Sequence, residues 1–179
     1  MQRRFALILS AAILFGAPLL LSSLFPGHSH ADNKDVVLKA ADIKPKLFPE
    51  TVFFRGQSAP VQMRNTGGVH FADDLYMLAG MVDNSGYSSG IRQKYQAYLL
   101  TEVPLEIGGQ AVKPGAYGFG FLEGGKFILL DLGANDLFQV SSKRDTDIKR
   151  PTPFQITAGE GGKYRMYMGR EFVEFSRTK

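Results

Sequence analysis

The chain has 179 residues, 21 of them basic and 17 acidic, and it contains no cysteine. The absence of cysteine excludes disulfide staples and a lipid anchor attached through an N-terminal cysteine. The formal charge of +4 falls to +2 without the leader described next. Such a weak excess of positive charge gives no ground for a nucleic-acid partner.

The first 31 residues have the pattern of an export signal. Two arginines precede an almost wholly apolar run over residues 5–25, and small residues at Ser29 and Ala31 fit cleavage after Ala31. The run is close to membrane-spanning length, so an uncleaved signal or anchor helix over 5–25 is the alternative. Pro18 would kink a spanning helix and therefore favours cleavage. We predict a periplasmic or extracellular protein that meets the membrane only if this segment is retained.

The rest of the chain is expected to form a single domain with a short leading segment. Residues 32–50 read as a linker or strap, because Pro45 and Pro49 impose extended backbone. Residues 36–41 are compatible with one helical turn. Residues 51–179 form the predicted domain, which is long enough to bury a core of its own.

The predicted fold is all-β, an antiparallel β-sandwich or a flattened barrel of about nine short strands. Leu75–Val82, LYMLAGMV, is apolar without a break, which is typical of a strand buried on both faces. Asn65–Gly68 is predicted to be a turn, and the glycine pair before Lys126 a hairpin. Lys94–Glu102 fits a strand better than a helix, although helical spacing in the segment that begins at Ile91 keeps both alternatives open.

Residues 83–90, DNSGYSSG, contain the pattern G-x-S-x-G, which marks the nucleophile elbow of serine hydrolases. Ser88 would need a base, usually histidine, to accept its proton. His70 is the only histidine after the predicted cleavage site, and it precedes the serine, contrary to the α/β-hydrolase order. A lysine base such as Lys94 is left open. These residues favour a polar loop over a nucleophile.

Two short stretches carry residue types that bind metal ions. His70, Asp73 and Asp74 supply one imidazole and two carboxylate groups, which suit zinc or manganese. Asp131 and Asp136, with an asparagine between them, supply oxygen donors that calcium prefers, but without EF-hand spacing. Both stretches are also ordinary turn chemistry, so we predict no metal and no cofactor.

One strand presents bare backbone on one of its faces. Tyr117–Phe121, YGFGF, places its aromatic residues on one face and Gly118 and Gly120 on the other. Glycine in a strand often marks close approach, either by a ring or sheet of the same domain or by a ligand. Tyr87 is the unusual member of a loop otherwise made of turn residues. The candidate ligand-binding residues are therefore Tyr87, Tyr117, Gly118 and Gly120.

Residues 107–121 carry a pattern G-x-x-x-x-P-G-x-Y, formed by Gly109, Pro114, Gly115 and Tyr117. This segment resembles uncharacterised exported bacterial β-sandwich domains of unknown function. The resemblance covers this hairpin segment alone, and it implies a β-sandwich in an exported protein. It carries over no active residue.

Three hypotheses about function follow. The leading one is an exported, non-catalytic β-sandwich module that has a binding or structural role in the cell envelope, with an unidentified protein or small-molecule partner. The second is a small serine hydrolase that uses Ser88 with His70. The third is a barrel that binds an apolar ligand between its sheets.

Overall fold

Antiparallel β-strands account for nearly all the regular structure in a computed structural model that describes residues 34–43 and 45–179. The predicted leader and anchor lie outside these residues. The described strands and the one helix have the following bounds: β1 Val36–Lys39, β2 Thr51–Phe54, β3 Gln57–His70, β4 Tyr76–Val82, α1 Ser89–Lys94, β5 Ala97–Thr101, β6 Leu105–Ile107, β7 Gln110–Val112, β8 Gly115–Leu122, β9 Lys126–Leu130, β10 Asp136–Ser141, β11 Lys143–Arg144, β12 Phe154–Ala158, β13 Tyr164–Met168 and β14 Glu171–Arg177. Nothing helical in this part of the chain has the length and apolar character needed to cross a bilayer.

The all-β prediction is confirmed, and the strands form two antiparallel sheets. Sheet I has the order β1-β3-β4-β5-β8-β9-β10, with β2 paired to β3. Sheet II has the order β12-β13-β14-β6-β7, with β11 paired to β14. The chain passes from β10 in sheet I to β11 in sheet II across Ser142 alone, so a strand that changes sheets joins the two layers at one edge.

The inner core lies between the two sheets. Sheet I contributes buried residues such as Met77, Leu99 and Phe119, and sheet II contributes residues such as Met166 and Phe175. These side chains belong to one continuous buried cluster, as expected when two antiparallel sheets pack face to face.

The outer core lies on the opposite face of sheet I. Leu78, Tyr98 and Ile128 project from sheet I into this second cluster. A layer made of Ile43, Leu47 and Phe48, the β2–β3 hairpin and the loop before α1 covers it, and Phe48 from this layer is fully buried. Because β4 sends Met77 to the inner core and Leu78 to the outer core, the predicted burial of this strand on both faces is confirmed.

The predicted strand count was too low, because fourteen strands occur among the described residues. Several of the additional strands have only two or three residues, and β6 and β11 among them pair with the distant strand β14. Such short strands leave too little alternation in the sequence to be recognised. The helical turn considered for 36–41 was also wrong, since Val36–Lys39 pairs with the end of β3.

The turn predicted at Asn65–Gly68 was wrong as well, because β3 continues through it as far as His70. Its glycines allow close approach rather than a reversal of the chain. A Cβ on Gly68 would lie 2.6 Å from the carbonyl oxygen of Met77, and one on Gly67 would lie 3.2 Å from the backbone nitrogen of Ile156 in β12. The Gly124–Gly125 hairpin, in contrast, is confirmed between β8 and β9.

The ambiguous segment after the DNSGYSSG loop contains both predicted structures in succession. The helix α1 ends at Lys94, and β5 begins at Ala97 and pairs with β4 and β8. The strand preference for Lys94–Glu102 was therefore right for Ala97–Thr101 and wrong at its start. Ile91, where the helical spacing began, lies in the short helix that precedes β5.

We predict that Gly68→Ala destabilises the domain by about 1–3 kcal/mol, because the added methyl group meets backbone that cannot rotate away. Gly86→Ala is the matched control, since no atom lies within 4 Å of a Cβ at that position. Its effect should stay within about 0.5 kcal/mol of zero. Urea denaturation measures both variants, and equal unfolding midpoints would contradict the close approach at Gly68.

Candidate functional site

Ser88 and His70 lie at opposite ends of β4. His70 pairs with Tyr76, the first residue of that strand, whereas Ser88 follows its last residue, Val82. Seven residues of strand separate the two ends by roughly 20 Å. A general base must come within about 3 Å of the proton it accepts. The structure therefore does not bring the predicted serine–histidine pair together.

Ser88 instead marks the start of α1. It is the N-terminal cap residue in extended conformation, and its carbonyl oxygen accepts hydrogen bonds from the backbone N–H groups of Ile91 and Arg92, at 3.0 and 2.9 Å. Lys94, the other base considered, places its Nζ 2.8 Å from each carboxylate oxygen of Asp136. The G-x-S-x-G pattern thus describes the entry into a short helix.

Of the predicted zinc-site residues, His70 contacts Asp74, whereas Asp73 pairs with Arg177. His70 stacks on Tyr76 at 4.4 Å between ring centroids, and its Nε2 lies 3.1 Å from the carboxylate of Asp74. Asp73 accepts two hydrogen bonds from the Arg177 guanidinium, at 2.6 and 2.7 Å. This guanidinium holds the pKa of Asp73 below its usual value.

The two aspartates of the predicted calcium site are separated in the same way. Asp131 accepts hydrogen bonds from the backbone and side-chain nitrogens of Asn135, both at 2.9 Å, and these bonds lower the pKa of its carboxyl group. Asp136 is bound to Lys94. Within residues 34–43 and 45–179, no three histidine or acidic side chains converge as a metal site requires.

The glycine face of β8 is covered by the protein itself. A Cβ on Gly118 would lie 2.5 Å from the ring of Phe54 and 2.9 Å from that of Tyr95, and these two rings stack at 3.7 Å. Gly120 faces the backbone carbonyl of Lys94 and the amide of Gln96. Of the two alternatives for this face, the structure shows contact with rings and backbone of the same domain.

The two candidate tyrosines also contact the protein's own backbone. Tyr87 is buried in the outer core, where its hydroxyl lies 3.0 Å from the carbonyl oxygen of Phe54 and 3.1 Å from that of Gln57. Tyr117 is half-buried and donates to the carbonyl oxygen of Lys113 at 2.9 Å. Burial raises the pKa of both phenols. Neither tyrosine is presented to a ligand together with the glycines.

A different part of the molecule forms a groove of about 650 Å³, which we call the β14 groove. It opens where β14 changes partners, because Phe175–Arg177 pairs with β6 whereas Glu171–Phe172 pairs with β11. The β6–β7 turn at Gly108–Gly109 and Gln139–Ser141 of β10 both line it, and the two segments meet where a Cβ on Gly108 would lie 2.7 Å from the side chain of Val140. The backbone N–H of Gly108 donates to the carbonyl oxygen of Glu174 at 2.9 Å, which fixes the turn against β14.

Glu174 is the electrostatic centre of the β14 groove. Its carboxylate lies 3.1 Å from Nζ of Lys143 and 3.6 Å from Nε of Arg165. The hydrogen bond from Lys143 is the main reason why the pKa of Glu174 is lowered, and the charges of Lys143, Arg165 and Lys163 add to it against the opposing effect of burial. The Arg165 guanidinium also lies 5.0 Å above the ring of Phe172, which packs its charge against the outer face of sheet II.

Comparison with protein-family models, with curated proteins and with solved structures yields no match for this chain. The resemblance of the Gly109–Tyr117 segment therefore stays a prediction.

The sequence did not point to the β14 groove. Lys143 stood in a run of mixed charges that reads as a solvated loop, and Glu174 followed the ordinary alternation of a strand. Their pairing depends on β11 lying beside β14, a contact across 31 positions of the chain. Two EGGK stretches at 123–126 and 160–163 are the one signal that could have drawn attention to Lys163, as a residue fixed after a hairpin turn.

We predict that the pKa of Glu174 lies below its ordinary value and rises in Lys143→Gln, because the charged hydrogen-bond donor that lowers it most is lost. A folded-state pKa below the unfolded value means that this carboxylate stabilises the fold above pH 4.5. That contribution disappears as the pH falls through the folded pKa. Carboxyl-carbon NMR titration measures the change, with Lys46→Gln on the opposite side of sheet I as the control. An unchanged pKa in Lys143→Gln would contradict the ion pair.

Proposed function

We propose that this protein is an exported, non-catalytic binding module of the cell envelope and that the β14 groove is its ligand site. The leader pattern over residues 1–31 supports the location, and the groove supports the binding role. Its volume of about 650 Å³ lies in the range of small-molecule sites.

The lining of the β14 groove supports recognition of a polar ligand. Phe172 and Val140 contribute apolar surface, while Gln139, Ser141 and Ser176 contribute hydrogen-bonding groups. Sites for small molecules combine apolar walls with a few placed polar groups in this way. Because strands carry these residues, the site needs little ordering when a ligand binds.

The two other hypotheses have less support from the described residues. A serine hydrolase needs a base beside Ser88, yet His70 lies at the other end of β4 and Lys94 binds Asp136. An apolar ligand between the sheets would have to displace the side chains of the inner core, among them the fully buried Phe119 and Phe127.

We predict that a tryptophan at the rim fills the groove and abolishes binding. In a 15N NMR screen of short peptides, amino acids and sugars, ligands should shift the amide signals of Gly108, Gly109 and Ser176. Ser141→Trp should remove these shifts, whereas Ser58→Trp should keep them, because Ser58 is an equally exposed strand serine outside the groove.

Two outcomes would contradict the proposal. One is a screen in which no compound shifts the groove amides at millimolar concentration. The other is a set of shifts that Ser141→Trp leaves unchanged, because the ligand would then bind elsewhere.

A further inference from the structure

Three polar side chains form a row across the outer face of sheet II, at one end of the β14 groove. Ser176 of β14 stands in the centre, directly opposite Glu106 of β6 in the strand register. Lys163 lies on the other side, because it immediately precedes Tyr164, which pairs with Phe175. All three side chains line the groove. The row therefore carries a carboxylate at one end, a hydroxyl in the middle and an ammonium group at the other end.

Among the described residues, the two charges at the ends of this row have no ion-pair partner, unlike the charges around Glu174. Lys143 and Arg165 are paired with Glu174, but neither Glu106 nor Lys163 forms an ion pair within the part of the chain that the structure describes. Both end residues are exposed. A ligand that carries opposite charges can therefore reach each of them without breaking an ion pair.

The spacing of the strands that carry the two charged residues limits the length of the ligand. Glu106 and Lys163 flank β14, so two strand spacings of about 4.8 Å each place their backbones about 10 Å apart. An extended chain advances by about 3.3–3.6 Å per residue, so three residues span about 10 Å. The spacing of this row thus matches the distance between the ends of an unblocked tripeptide.

We propose that the β14 groove binds short peptides with free termini, with the ammonium group at Glu106 and the terminal carboxylate at Lys163. Ser176 lies beneath the middle of such a peptide, and Gln139 and Ser141 line the same groove and supply groups that can bond its amides. The orientation is set by charge, since the reversed peptide would place like charges together at both ends. This inference rests on the proposed binding function and names its ligand class.

Trialanine is the probe, and N-acetyl-trialanine and trialanine amide are its blocked counterparts. We expect trialanine to shift the amide signals of Gly108, Gly109 and Ser176 in 15N NMR titrations at low salt. Blocking either end should weaken binding about two- to fivefold, the range of an exposed ion pair. The preference should diminish in 0.5 M salt, because exposed charges are screened at about that ionic strength.

Variants assign each end of the peptide to one residue. Glu106→Gln should abolish the preference for a free amino terminus and keep the preference for a free carboxylate. Lys163→Gln should have the opposite effect. Glu50→Gln and Lys46→Gln are the matched controls on the far side of sheet I, and both preferences should persist in them. Because all four substitutions replace exposed side chains, folding is not expected to change.

Several results would overturn the inference. Equal affinity for free and blocked peptides would show that the charges do not recognise the termini, as would equal loss of both preferences in each variant. A neutral sugar that shifts the groove amides when trialanine does not would overturn the peptide inference and leave the binding function standing. If no compound shifts these amides, both proposals fail together.

Discussion

The structure depends on one sheet that is buried on both faces. The residues of β4 and β9 alternate between the two cores: Met77 and Leu129 face sheet II, whereas Leu78 and Ile128 face the outer layer. A strand of this kind has no polar side to present to water, so the segments that cover the outer core are as necessary as sheet II. In this chain, which contains no cysteine, apolar burial and strand pairing supply the cohesion that disulfides supply in many exported domains.

This requirement explains the loop that carries G-x-S-x-G. Tyr87 inserts into the outer core, where its hydroxyl lies within hydrogen-bond distance of two carbonyl oxygens of the β2–β3 hairpin. Phe54 and Tyr95 stack over the bare backbone of Gly118. Serines and glycines around Tyr87 let the chain turn from β4 into the helix and back. The loop closes a core, and its resemblance to a nucleophile elbow follows from turn chemistry alone.

The sequence could predict those features of the fold that depend on the pattern of neighbouring residues. The unbroken apolar run of β4 indicated burial on both faces, and paired glycines located the β8–β9 hairpin. It could not predict what depends on distant neighbours. Gly67 and Gly68 look like a turn until β12 and β4 are seen to pack against them. Glu174 looks like any exposed strand residue until β11 places Lys143 beside it. For the same reason the β14 groove was missed, since its residues come from four strands and two turns that meet only in the fold.

Sheet I is covered on both faces, whereas the proposed binding site lies on the open face of sheet II. The residues that stabilise the fold are therefore largely distinct from those of the proposed site. Hydrogen exchange of backbone amides under native conditions tests the double burial most directly, because it reports the free energy at which each amide opens. We predict that the amides of Met77–Met81 exchange only when the whole domain unfolds, with an opening free energy equal to that measured by denaturation. Exchange of these amides at a much lower free energy, through detachment of the outer layer, would contradict the account.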